Sequence, residues 1–163
     1  MRSLQLLWLA NTLPLANVDI YKESFLDLSK AIKLKDLMFR WGGTSVRWIT
    51  MALQTVKSKK LQQIAIQLRT LTLRKMFVGV DEWEWQDLDH LLVRFWTSRS
   101  IRPLVMYDPD EEGEDLRDKI DRMLSLLPEL TKRGLVDVVE TPPALRTTFN
   151  VATGIGIFSP GTK

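Results

Sequence analysis

Short stretches with apolar side chains at every second position alternate with longer ones where they recur every third or fourth. Leu4 to Ala10 reads as a first strand, and Pro14 and Asn17 mark the loop behind it. Leu37, Phe39 and Trp41 alternate with Met38 and Arg40, which predicts a second strand over 36–41. Ile64 and Ile66 predict a third over 62–67, Leu104 and Met106 a fourth over 103–107, and Leu135 to Val139 a fifth. Pro103 suits a strand start because it has no amide to give a ladder. Between these stretches the period is helical. Phe25, Leu28 and Ile32 share one face, as do Val46, Ile49, Leu53 and Val56 behind a cap at Thr44 or Ser45. Trp85, Leu88, Leu91, Leu92, Phe95 and Trp96 form the most regular stripe, opened by an Asp81-x-x-Glu84 capping box. Leu116, Ile120, Met123, Leu124 and Leu127 form the last, where Pro128 breaks or restarts the helix and Gly134 ends it in left-handed backbone.

The strands also carry a repeat. Residues 3–13 fit most of L-x-x-L-x-L-x-x-N-x-L, with Leu6, Trp8, Asn11 and Leu13 in register and Ser3 off it. Leu34-x-x-Leu37-x-Phe39, Leu61-x-x-Ile64-x-Ile66 and Ile101-x-x-Leu104-x-Met106 echo it, the last after a step lengthened by Thr70 to Val80. The predicted fold is therefore α/β: a short leucine-rich-repeat-like solenoid of four to five parallel strands over 1–140, with helices on the convex face. Residues 141–163, broken by Pro142, Pro143, Gly154, Gly156, Pro160 and Gly161, are expected to be a disordered tail. Leu6, Leu37, Ile64 and Leu104 should stack in one buried column, with Trp8, Phe39, Ile66 and Met106 beside them. The strand residues of opposite parity then line the concave face: Gln5, Leu7, Leu9, Asp36, Met38, Arg40, Gln63, Ala65, Gln67, Val105 and Tyr107. That row mixes polar and apolar groups, as a protein-binding surface does. Arg40 and Tyr107 are its expected anchors, at least partly exposed.

Composition narrows the chemistry. A chain of 163 residues with 45% hydrophobic content makes one domain with a real core, and the absence of Cys excludes disulfides and thiolate metal sites. No apolar run reaches the ~18 residues of a membrane span, so no membrane partner is expected. Arg2 followed by Leu4 to Ala10 mimics a short signal peptide, but Ala10-Asn11-Thr12 is a poor cleavage site, and a cytoplasmic or nuclear location is expected. The net charge of +3 hides an asymmetry: residues 22–75 are strongly basic and residues 81–123 strongly acidic. In a solenoid such blocks stay apart.

No catalytic set emerges. His90 is the one histidine; it sits beside Asp87 and Asp89 on a polar helix side, and no local motif marks a nucleophile. Asp108-Pro109-Asp110-Glu111-Glu112-Gly113 copies the start of a calcium loop, but Lys119 stands where the bidentate acid belongs, leaving an acidic loop. Gly42-Gly43 and Gly154-x-Gly156 read as turns, without the lysine or the spacing of a phosphate loop. The sequence thus predicts neither an enzyme nor a cofactor or metal site. Lys57, Lys59, Lys60, Arg69, Arg74 and Lys75 could meet phosphates, which makes a basic nucleic-acid-associated module the alternative; no recognised motif accompanies them, so a solvated face is expected. Trp8, Trp41, Trp85 and Trp96 hold core-facing positions, Trp41 and Trp48 fill the core rather than stack on bases, and Trp83 is the tryptophan least suited to burial.

Trp85-Gln86-Asp87-Leu88-Asp89-His90-Leu91-Leu92 and Leu127-Pro128-Glu129-Leu130-Thr131-Lys132-Arg133-Gly134-Leu135-Val136 carry a family likeness. The chain resembles, in patches over roughly residues 1–140, the C-terminal leucine-rich-repeat-like part of filamentous-fungal proteins of the F-box type. The resemblance implies a target-recognition fragment of a ubiquitin-ligase substrate receptor, whose partner is another protein. The F-box itself is not matched, because Leu127-Pro128-Glu129-Leu130 is followed by too short a Gly-, Pro- and Thr-rich remainder. Met1 would then fall inside a repeat array, and an uncapped array exposes apolar ends through which it can self-associate. A truncated product without a selected function is the remaining alternative.

Overall fold

The computed structural model describes residues 6–10, 27–41, 45–68, 81–107, 116–142 and 155–156. Strands β1 (Leu6–Ala10), β2 (Asp36–Trp41), β3 (Gln63–Leu68), β4 (Pro103–Tyr107) and β5 (Asp137–Glu140) lie side by side in chain order. Each pairs parallel with the next. A short strand, β6 (Ile155–Gly156), adds antiparallel to the other edge of β1, so the tail expected to be disordered supplies a strand at these two positions. The described helices are α1 (Arg47–Gln54), α2 (Glu82–Arg99), α3 (Leu116–Ser125) and α4 (Pro128–Lys132).

These helices cover one face of the sheet. Ile49 and Leu53 of α1, Trp85, Leu88 and Leu92 of α2, Met123 of α3 and Leu130 of α4 share one buried cluster with Leu37, Phe39, Trp41, Ile64, Ile66 and Val105. Leu34, Leu61 and Ile101, each shortly before a strand, belong to it too. Aromatic rings join the layers edge to face: Trp41 meets Trp85 at 4.8 Å between centroids, and Phe39 meets Trp48 at 5.5 Å.

The pairing register corrects the expected column. Ile64 lies opposite Pro103 and Ile66 opposite Val105, so Val105 enters the helix-side core and Met106 falls on the other face with Met38 and Ala65. Leu104 packs against that second cluster. Likewise Leu7 and Leu9, not Leu6 and Trp8, are the register partners of Leu37 and Phe39. Side chains alternate with a period of two, so a one-residue slip exchanges the faces. The parity expected for β2 and β3 holds, since Leu37 pairs with Ile64 and Phe39 with Ile66.

The first expected helix is also corrected where it is described. Residues 27–34 form successive turns closed by Ala31 N–H to Leu28 O and Leu34 N–H to Ala31 O. The Asp27 carboxylate accepts the Ser29 amide at 2.8 Å, a local bond that competes with helix formation. Pro128 restarts the helix, as the first residue of α4. Gly134, with φ +62°, closes α4 through Leu135 N–H to Leu130 O at 2.9 Å, the left-handed stop read from the sequence.

Leu37 is 1% exposed and packed between β3 and the helices, so Leu37→Ala should lower unfolding free energy in urea by about 2–5 kcal/mol. A loss under about 1 kcal/mol would show that the column is not a close-packed core.

Candidate functional site

α2 lies between α1 and α4 and sends a buried carboxylate toward each. Glu84 does not close the capping box expected with Asp81, whose side chain makes no cap bond. Its Oε2 instead accepts the Ser45 hydroxyl at 2.6 Å and the Val46 amide at 3.0 Å, at the start of α1. Ser45 Oγ in turn accepts the Arg47 amide, and the Ser45 carbonyl accepts Trp41 Nε1–H at 3.3 Å. Asp89 accepts the Glu129 amide on Oδ2 at 2.7 Å and the Leu130 amide on Oδ1 at 3.1 Å, capping the first turn of α4. Amides at helix starts have no partner within their own helix, and a carboxylate suits the positive end of the dipole. Burial pushes the Asp89 carboxyl above its ordinary 3.8, outweighing the opposing pull of the two amides and of His90.

These contacts seat the first turn of α2 against α1 and leave a groove of about 300 Å³. Arg47, Thr50, Met51 and Gln54 line one wall, spaced so that they share one helix stripe. Trp83, Glu84 and Asp87 line the other. Trp83 is 51% exposed, the position the sequence singled out, and the Arg47 guanidinium stands 5.9 Å from its ring centroid. An exposed indole flanked by a guanidinium and a methionine is the composition of an interaction hot spot. Sequence reading missed Arg47 and Met51 in this role; their only signal was the i, i+4 spacing on a polar helix stripe.

The expected concave row is largely closed to solvent. Met38, Arg40, Ala65 and Gln67 are buried, and Val105 is buried on the helix side instead. Arg40, expected to be partly exposed, is 4% exposed and engaged, as is its register partner Gln67, so it is not a free anchor. A guanidinium leaves water only for other polar partners, which makes this arginine structural. Asp36 and Tyr107 are half-buried and Gln63 is exposed. Gln5 lies outside the described residues, and Leu7 and Leu9 are placed by backbone register alone.

His90 and Asp87 are exposed while Asp89 serves α4, so the three form no joint site. No group of three acidic or histidine side chains could hold a metal among the described residues. The acidic stretch 108–113, Gly42-Gly43, and Arg69, Arg74 and Lys75 lie outside them. No helix of the described residues is long and apolar enough to cross a membrane. No family model, curated protein or solved structure matches this chain.

Glu84→Ala strands the buried Val46 amide and should cost about 2–3 kcal/mol in chemical unfolding, with Glu84→Gln recovering part of it. Asp89 gives a pH signature. Because the folded state holds its proton to a higher pH than the unfolded chain, its contribution is full below pH 3.8 and declines as pH rises through the raised folded value. Stability of the parent relative to Asp89→Asn should therefore fall from acid toward neutral pH. A relative rise over that range would show that the amide bonds, not burial, dominate at Asp89.

Proposed function

We propose that this chain is a non-catalytic protein-interaction module that engages its partner at the groove between α1 and α2. The observation that carries this reading is Trp83, half exposed in the first turn of α2 beside Arg47. Burying an indole contributes more to association than any other side chain of similar flexibility. Gln54 and Asp87, both exposed, supply a polar rim around Trp83 and Met51. The matching ligand is a segment of a partner protein with an apolar side chain for the indole and a carboxylate for Arg47. Recruitment of a target, as in the F-box-type proteins that the sequence resembles, is the specific form of this role. A repeat array, with strand and helix recurring in chain order, is the form of the fold that this role would use.

Proximity labelling with the intact chain, compared with Trp83→Ala and Arg47→Glu, tests the groove. Both variants should keep the parent's thermal midpoint and lose the same set of partners, with affinity for a purified partner reduced roughly 30-fold or more by Trp83→Ala. An unchanged partner set would move the interaction surface away from α1 and α2.

A further inference from the structure

Away from that groove, beyond the other end of α1, the loops that lead into β2 and β3 are tied into one platform. The Ser58 hydroxyl lies 3.0 Å from the Ile32 carbonyl and 2.7 Å from the Leu34 carbonyl. Gln62 N–H donates to Lys35 O at 2.7 Å, and Leu28 N–H to Thr55 Oγ1 at 2.8 Å. From behind, Arg99 Nη1 donates to the Ser58 carbonyl at 3.0 Å. Ser58 itself is buried, so the two loops are held rather than loosely apposed.

This platform presents Lys30, Lys33, Lys57, Lys59 and Lys60 to solvent, with Lys35 half-buried among them. Its acids are Asp27, already bonded to the Ser29 amide, and half-buried Asp36. Ile32 rises between Lys30 and Lys33 at 63% exposure, the most exposed large hydrophobic side chain among the described residues. The negative end of α1 accounts for lysines just after it, at 57–60, but not for those of the neighbouring loop or for a bare isoleucine.

We infer that this platform docks on an anionic membrane surface, with Ile32 entering the headgroup zone and the lysines meeting lipid phosphates and carboxylates. The contact is peripheral and needs no membrane-spanning helix. Clusters of four to eight basic residues bind anionic bilayers, and each lysine near the surface raises affinity about fivefold. An apolar side chain adds to this by leaving water at the interface. A base-reading or base-stacking face would use arginine forks and aromatic rings, which residues 27–35 and 56–62 lack, and an exposed isoleucine has no partner on a phosphate backbone.

Co-sedimentation of the full chain with phosphatidylcholine vesicles, with and without phosphatidylserine, is the test. Binding should require phosphatidylserine and weaken with salt. Lys59→Glu with Lys60→Glu should reduce it by about 25-fold or more, and Ile32→Asn by about tenfold, with thermal midpoints unchanged. Absence of binding to phosphatidylserine vesicles would overturn the inference. So would binding indifferent to Ile32→Asn, or duplex DNA displacing the vesicles at lower concentration, which would assign the platform to nucleic acid. Trp83→Ala should leave vesicle binding intact, so this result and that of the α1–α2 groove stand apart.

Discussion

Two carboxylates on one helix fix the helical layer. Moving an ionised group out of water costs several kcal/mol, and only well-placed donors offset it. Glu84 and Asp89 find those donors at the starts of α1 and α4, where amides need acceptors that their own helices cannot supply. The exchange is mutual: each acid is satisfied by the neighbour whose end it satisfies. Nonpolar packing gives α2 its depth in the core, but packing is tolerant of sliding and rotation. The hydrogen bonds set where along α2 the other helices begin, and so set the groove beside Trp83.

The sheet beneath is buried on both sides over its centre. Leu37, Phe39, Ile64 and Ile66 face the helices, while Met38, Ala65 and Met106 form a second cluster on the reverse. Arg40 and Gln67, aligned across β2 and β3, carry polar groups into that reverse face. The exposed side chains of the sheet therefore lie at its rim. Strands following one another in chain order keep the basic part of the sequence near β2 and β3, which places the lysine platform there. At the other end of the sheet, β5 offers an edge with exposed Asp137 and Glu140, and such charges discourage strand addition by another chain.

The groove and the platform are built differently. Trp83 and Arg47 are brought together by tertiary contact from elements far apart in the chain, and their exposure is held by the buried Glu84 beneath them. The lysines come from two consecutive loops joined by the Ser58 hydroxyl and the backbone. One surface is specific in shape and the other in charge.

Sequence alone determined the elements whose two faces differ in polarity. Asp-Leu-Met-Phe-Arg-Trp and Gln-Ile-Ala-Ile-Gln-Leu place polar groups on one parity, so β2, β3 and their register could be read directly. The stops at Pro128 and Gly134 were equally legible, because ring geometry and left-handed backbone are local properties. Leu-Leu-Trp-Leu-Ala and Pro-Leu-Val-Met-Tyr do not alternate polar with apolar residues, and periodicity then carries no parity. Only pairing with a neighbouring strand decided which residues of β4 face the helices. Glu84 was equally ambiguous: its spacing from Asp81 fits a local cap, yet a carboxylate goes to whichever unpartnered amides lie nearest once the helices pack. Those donors, the Val46 amide and the Ser45 hydroxyl, come from a part of the chain that no short-range pattern connects to α2.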